Sequence, residues 1–68
     1  MPPYYFFVYR DNSVKREWRW TLWSRNNRRK LAASGEGFSS RQACEENIAL
    51  VKRVAPTAPI EYHESARR

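Results

Sequence analysis

Glu17-Trp18-Arg19-Trp20-Thr21-Leu22-Trp23 alternates in character from one residue to the next. In an extended chain successive side chains point to opposite faces. Trp18, Trp20 and Leu22 therefore share one side, and Arg19, Thr21 and Trp23 share the other. The stretch reads as a strand over 17–24. Upstream, Tyr4-Tyr5-Phe6-Phe7-Val8-Tyr9-Arg10 is dense in aromatic and β-branched residues and predicts a strand over 4–10. Asp11-Asn12-Ser13 supplies turn chemistry between them. Downstream, Arg25-Asn26-Asn27-Arg28 is a polar turn in which Asn tolerates positive φ. Lys30-Leu31-Ala32-Ala33-Ser34 predicts a short third strand over 30–34, broken by Gly35-Glu36-Gly37.

The period then changes. From Ala43 onward, Ala43, Cys44, Asn47, Ile48, Leu50, Val51, Val54 and Ala55 recur on one side at about 100° per residue. Arg41, Gln42, Glu45, Glu46, Lys52 and Arg53 fall on the other side. Ser39 is a good N-cap, and Gln42 three residues later completes a capping box. Pro56 cannot continue the helix. The expectation is a helix over 39–55 whose single apolar stripe covers one face of the sheet. Phe6, Val8, Trp20 and Leu22 are assigned to the core beneath it. Tyr5, Phe7, Tyr9, Arg19 and Trp23 are left on the far face. After Thr57-Ala58-Pro59, Ile60-Glu61-Tyr62-His63 alternates and predicts a short strand over 60–63, on its own sheet or on a neighbour's. The fold class is α+β, with an antiparallel β-β-β-α-β order in a single domain over 1–68.

Composition narrows the chemistry. A chain of 68 residues buries only about 60% of its unfolded surface and sits near the limit of independent stability. Such chains lean on disulfides, a metal or a partner subunit. Cys44 is the only cysteine and His63 the only histidine, so an internal disulfide and a Cys/His zinc site are both ruled out. A partner subunit is the option left open. Met1-Pro2-Pro3 lacks a basic leader region, and the apolar run from Tyr4 to Tyr9 is far short of a membrane span. With a single cysteine, this fits a reducing cytoplasm and no membrane partner.

The net charge is +6, and its placement is uneven. Residues 1–41 carry nine Lys/Arg against three acids, whereas residues 42–68 carry four of each. A basic surface attracts polyanions, or serves solubility alone. A far face of Tyr5, Phe7, Tyr9, Arg19 and Trp23, with Arg25, Arg28 and Arg29 beside it, is one recipe for stacking single-stranded nucleic acid. Mutual packing of the same aromatics is the structural alternative. A second candidate surface is Gly37, Ser39, Ser40 and Arg41, where a glycine-bearing loop opens onto a helix N-terminus, as at phosphate sites. Capping alone also accounts for those serines.

No catalytic constellation converges. Glu36 is read as an ion-pair partner for Arg19 or Arg41, Cys44 as a buried small hydrophobe, and Asn47 as a buried amide needing a partner from backbone or across a subunit contact. No cofactor is called for, and the chain is read as non-enzymatic.

Phe6-Phe7-Val8-Tyr9-Arg10-Asp11, Glu17-Trp18-Arg19-Trp20-Thr21-Leu22 and Ser34-Gly35-Glu36-Gly37-Phe38-Ser39-Ser40, with Ile48, Val51-Lys52 and Ala55-Pro56, resemble the YegP-like family of small proteins of uncharacterised function. The resemblance covers about residues 5–60. It implies three strands, a helix and a final strand. It also implies that two such units form one continuous sheet and exchange C-terminal strands, here through Ile60, Glu61 and Tyr62 of a homodimer. It implies no catalytic residues. The turn over 25–29 is longer and more basic than the family's usual Asn-Gly type.

Overall fold

The computed structural model describes residues 1–64. Three strands, β1 (Tyr4–Arg10), β2 (Trp18–Ser24) and β3 (Arg29–Ala33), form an antiparallel sheet in the order β1-β2-β3. One helix, α1 (Arg41–Val54), follows, and a 3₁₀ turn over Ala55–Thr57, which contains Pro56, succeeds it. The sheet class and the single helix agree with the sequence reading.

The register explains the two faces. Phe6 lies opposite Leu22 and Val8 opposite Trp20, so all four share the helix side. Tyr5 faces Trp23, Phe7 faces Thr21 and Tyr9 faces Arg19 on the far side. The core is small. Trp20, Cys44 and Ile48 are buried, with Phe6, Val8, Trp18, Leu22, Phe38 and Val51 packed around them. Phe6 meets Trp20 edge-on at 5.2 Å between ring centroids, a favoured aromatic geometry. Asn47 finds its partner in the core: the Trp20 indole N–H donates to Asn47 Oδ1 at 2.7 Å. The amide thus bonds a side chain, where backbone or a subunit contact was expected.

Several boundaries move. The helix cap lies one residue later than expected, because Ser40, not Ser39, takes the extended Ncap geometry and its Oγ accepts the Ala43 N–H at 3.1 Å. Gln42 therefore completes no capping box and donates instead to Glu46. The residue with positive φ in the second turn is Arg28 (φ 55°), not an asparagine. β3 starts at Arg29 and is kinked by a bulge opposite Leu22 and Trp23. Phe38 adds a bridge that the sequence did not announce. Its N–H and carbonyl exchange hydrogen bonds with Trp18 at 2.8 and 2.7 Å.

Residues 60–63 form no strand within this chain. The 3₁₀ turn and Pro59 carry them away from the sheet, leaving Ile60 79% and Tyr62 90% exposed. The helix packs on β1 and β2 but not on β3. Lys52 Nζ sits 5.6 Å over the Phe6 ring. The opposite flank, with exposed Leu50 and Val54, is thus turned away from β1. On the helix side, a groove of about 630 Å³ is bounded by Tyr4, Leu22, Ser24, Asn27, Arg29 and Leu31. No helix among the described residues is long and apolar enough to cross a membrane.

Candidate functional site

The far face holds most of the residues singled out for stacking, in two groups. At one end, Arg19 lies across from Tyr9 and is held by Asp11, whose Oδ2 accepts from its Nε at 2.8 Å. Glu17 adds a second carboxylate 3.9 Å away. Arg19 is thus neutralised and supports the hairpin. Asp11 also accepts from the Ser13 hydroxyl and from the Ser13 and Glu17 amides. The Ser13 hydroxyl and Arg19 lead in pulling its pKa down from 3.8 to about 2. Hydrogen bonding to the charged form favours ionisation. Phe7 stacks on Tyr9 at 5.7 Å, and Phe7 stays half exposed.

At the other end the arrangement is open. Tyr5 and Trp23 stand side by side across the β1–β2 pairing. The chain then turns, and Arg25 folds back so that its guanidinium carbon sits 4.1 Å over the Tyr5 ring. Two hydrogen bonds fix this pose. The Arg25 amide donates to the Pro3 carbonyl and Arg25 Nε to the Pro2 carbonyl, both at 2.8 Å. Arg28 closes the rim, and a groove of about 380 Å³ lies between Tyr5, Trp23, Ser24, Arg25 and Arg28. Residues 18–35 contain five Lys/Arg and no acid, and among the described residues neither Arg25 nor Arg28 has a carboxylate at ion-pair distance. Arg29 does not join this group. It pairs with Ser24 and borders the helix-side groove, because the turn delivers it to the other face.

The second candidate surface does not assemble. Ser40 is occupied by the helix cap, and Arg41 pairs with Glu45 at 3.5 Å. Neither glycine of the loop has positive φ. A Cβ placed on Gly37 would meet the Glu17 side chain, its Oε1 included. Gly37 is therefore a close-packing glycine beside a carboxylate rather than an anion cradle. Glu36 takes neither expected partner, since Arg19 goes to Asp11 and Glu17 and Arg41 to Glu45. Cys44 is fully buried, and burial pushes its thiol pKa up. The sequence missed the tether from Arg25 to Pro2 and Pro3, because nothing in residue type announces a contact between a turn and the N-terminus.

The comparisons with known proteins speak to the family. The family model described as "Domain of unknown function (DUF1508)" matches residues 13–61. UPF0339 protein NMB1088 of Neisseria meningitidis serogroup B is 36% identical over 56 residues, covering 82% of this chain and 93% of that protein. UPF0339 protein NMA1193/NMA1859 of a serogroup A strain matches equally. The NMR solution structure of a protein from Haloferax volcanii superposes with a TM-score of 0.79 at 36% identity, over 93% of this chain and all of that one. Matching family model, curated relatives and shared fold agree: the chain belongs to the DUF1508/UPF0339 family of unknown function, the same family as the YegP-like proteins its motifs resemble.

Proposed function

We propose that the chain is a non-enzymatic homodimeric module, each copy laying residues 60–62 against its twin. The observation that carries this is the pairing of two unsatisfied features. Ile60 and Tyr62 project from the body almost wholly exposed. The helix leaves β3, Leu31, Leu50 and Val54 uncovered on its own side of the sheet. An exposed strand edge invites another strand, whose backbone adds hydrogen bonds and whose alternate side chains enter apolar pockets. Ile60 and Tyr62 have the period that such an added strand needs. Among the described residues the core of three buried apolar side chains is also small for a stable domain.

The non-enzymatic reading rests on how the reactive groups are used. Cys44 is sealed in the core, Asp11 is committed to a turn, and His63 lies in the exposed tail. Sedimentation at micromolar concentration tests the assembly. The expected species has twice the 8.2 kDa chain mass, and the Ile60→Asp/Tyr62→Asp double variant shifts it to monomer. A wild type that sediments as a compact monomer contradicts the proposal.

A further inference from the structure

We infer that the groove between Tyr5, Trp23, Arg25 and Arg28 binds single-stranded nucleic acid, stacking a base on Trp23 or on the Arg25 guanidinium and holding the flanking phosphates with Arg25 and Arg28. This goes beyond the dimer and uses the opposite face of the sheet. Three observations carry it. The groove joins an aromatic pair to two arginines that have no carboxylate partner among the described residues. Arg25 is pre-set over Tyr5 by the Pro2 and Pro3 carbonyls, so little side-chain freedom is lost on binding. At the other end of the same face Arg19 is held by Asp11 and Glu17, which leaves its guanidinium less available to a ligand than those of Arg25 and Arg28. Flat π-surfaces beside backbone-tracking cations are the means by which proteins hold unpaired bases with little sequence preference. The volume, about 380 Å³, lies within the range of roughly 300–1,000 Å³ typical of small-ligand clefts. That suits a nucleotide or two and not a duplex.

Fluorescence anisotropy of a labelled oligouridylate about 15 nucleotides long provides the test. Two phosphate contacts per groove give a log–log salt slope of about −1.4, roughly a sevenfold loss between about 50 and 200 mM salt. Trp23→Ala weakens binding roughly 5- to 150-fold, as expected for one lost stack, and Trp23→Phe recovers most of it. Arg28→Asn, which suits the positive φ at that position, keeps the fold and flattens the slope by about 0.7. Lys15→Ala, in the distant first turn, changes nothing. If Trp23→Ala fails to fold, Arg25→Gln takes its place, with the same direction expected. Absence of binding at low salt overturns the assignment. So does binding that heparin matches and that Trp23 and Arg25 variants leave unchanged, because charge alone would then explain it. Sedimentation of the same samples reads the dimer separately, so the two proposals fail independently.

Discussion

Asp11 shows how much of a turn one carboxylate can organise. Its Oδ1 accepts from Ser13 Oγ at 2.6 Å and from the Ser13 and Glu17 amides at 3.1 and 3.0 Å, while Oδ2 holds Arg19. All four bonds favour the ionised form, so its pKa falls from 3.8 to about 2. A carboxyl with a pKa lower in the folded state adds stability above its unfolded value and loses it as pH falls through the folded one. That contribution is therefore complete above about pH 4, declines between 4 and 2, and is gone below. Thermal unfolding of Asp11→Asn against wild type measures it: the melting-temperature gap should be widest near neutral pH and close by about pH 2. A gap that ignores pH would mean that the side chain's shape, not its charge, holds the turn. Residue type alone marked Asp11 as turn chemistry. Its hold on Arg19 is not legible from residue type, because it depends on strand register.

Elements were more legible than their ends. The alternation in β2 placed Trp20 and Leu22 under the helix and Trp23 outside, and the register agrees. A two-residue period leaves no third option once one face is apolar. Element ends depend on local competition instead. Ser39 and Ser40 are equally good caps by type, and only backbone geometry selects Ser40. The 35–38 loop, which leads into the candidate anion surface of Gly37, Ser39, Ser40 and Arg41, is a packed joint, pinned by the Trp18–Phe38 bridge. Its two glycines should therefore differ sharply. At Gly37 a Cβ would lie 2.6 Å from the Glu17 Cβ, and Gly37→Ala should cost about 1–3 kcal/mol, as overpacking does. At Gly35 nothing lies within 4 Å and φ is not positive. Gly35→Ala should be neutral or stabilise by about 0.4–1 kcal/mol through the unfolded chain. Urea unfolding midpoints of the two variants compare them, and equal effects would contradict this account of the loop.

For the whole molecule, the tail is where sequence reasoning and the single chain part. The alternation at 60–63 was legible, but a strand needs an edge to pair with, and that edge is not reached within one copy. If two copies supply each other's edge, folding and association are one equilibrium. The melting temperature should then rise by about 5 °C for each tenfold increase in chain concentration, taking an unfolding enthalpy of about 0.7 kcal/mol per residue over two chains. Differential scanning calorimetry across a hundredfold range reads this directly, and a midpoint indifferent to concentration would point to a self-sufficient monomer. Cys44 lends such work a built-in clock. The sequence offers one sulfhydryl, and the native fold seals it completely. A maleimide or dithionitrobenzoate can therefore react only during excursions that open the centre of the protein, so the speed of labelling times those openings without any probe having to be engineered in.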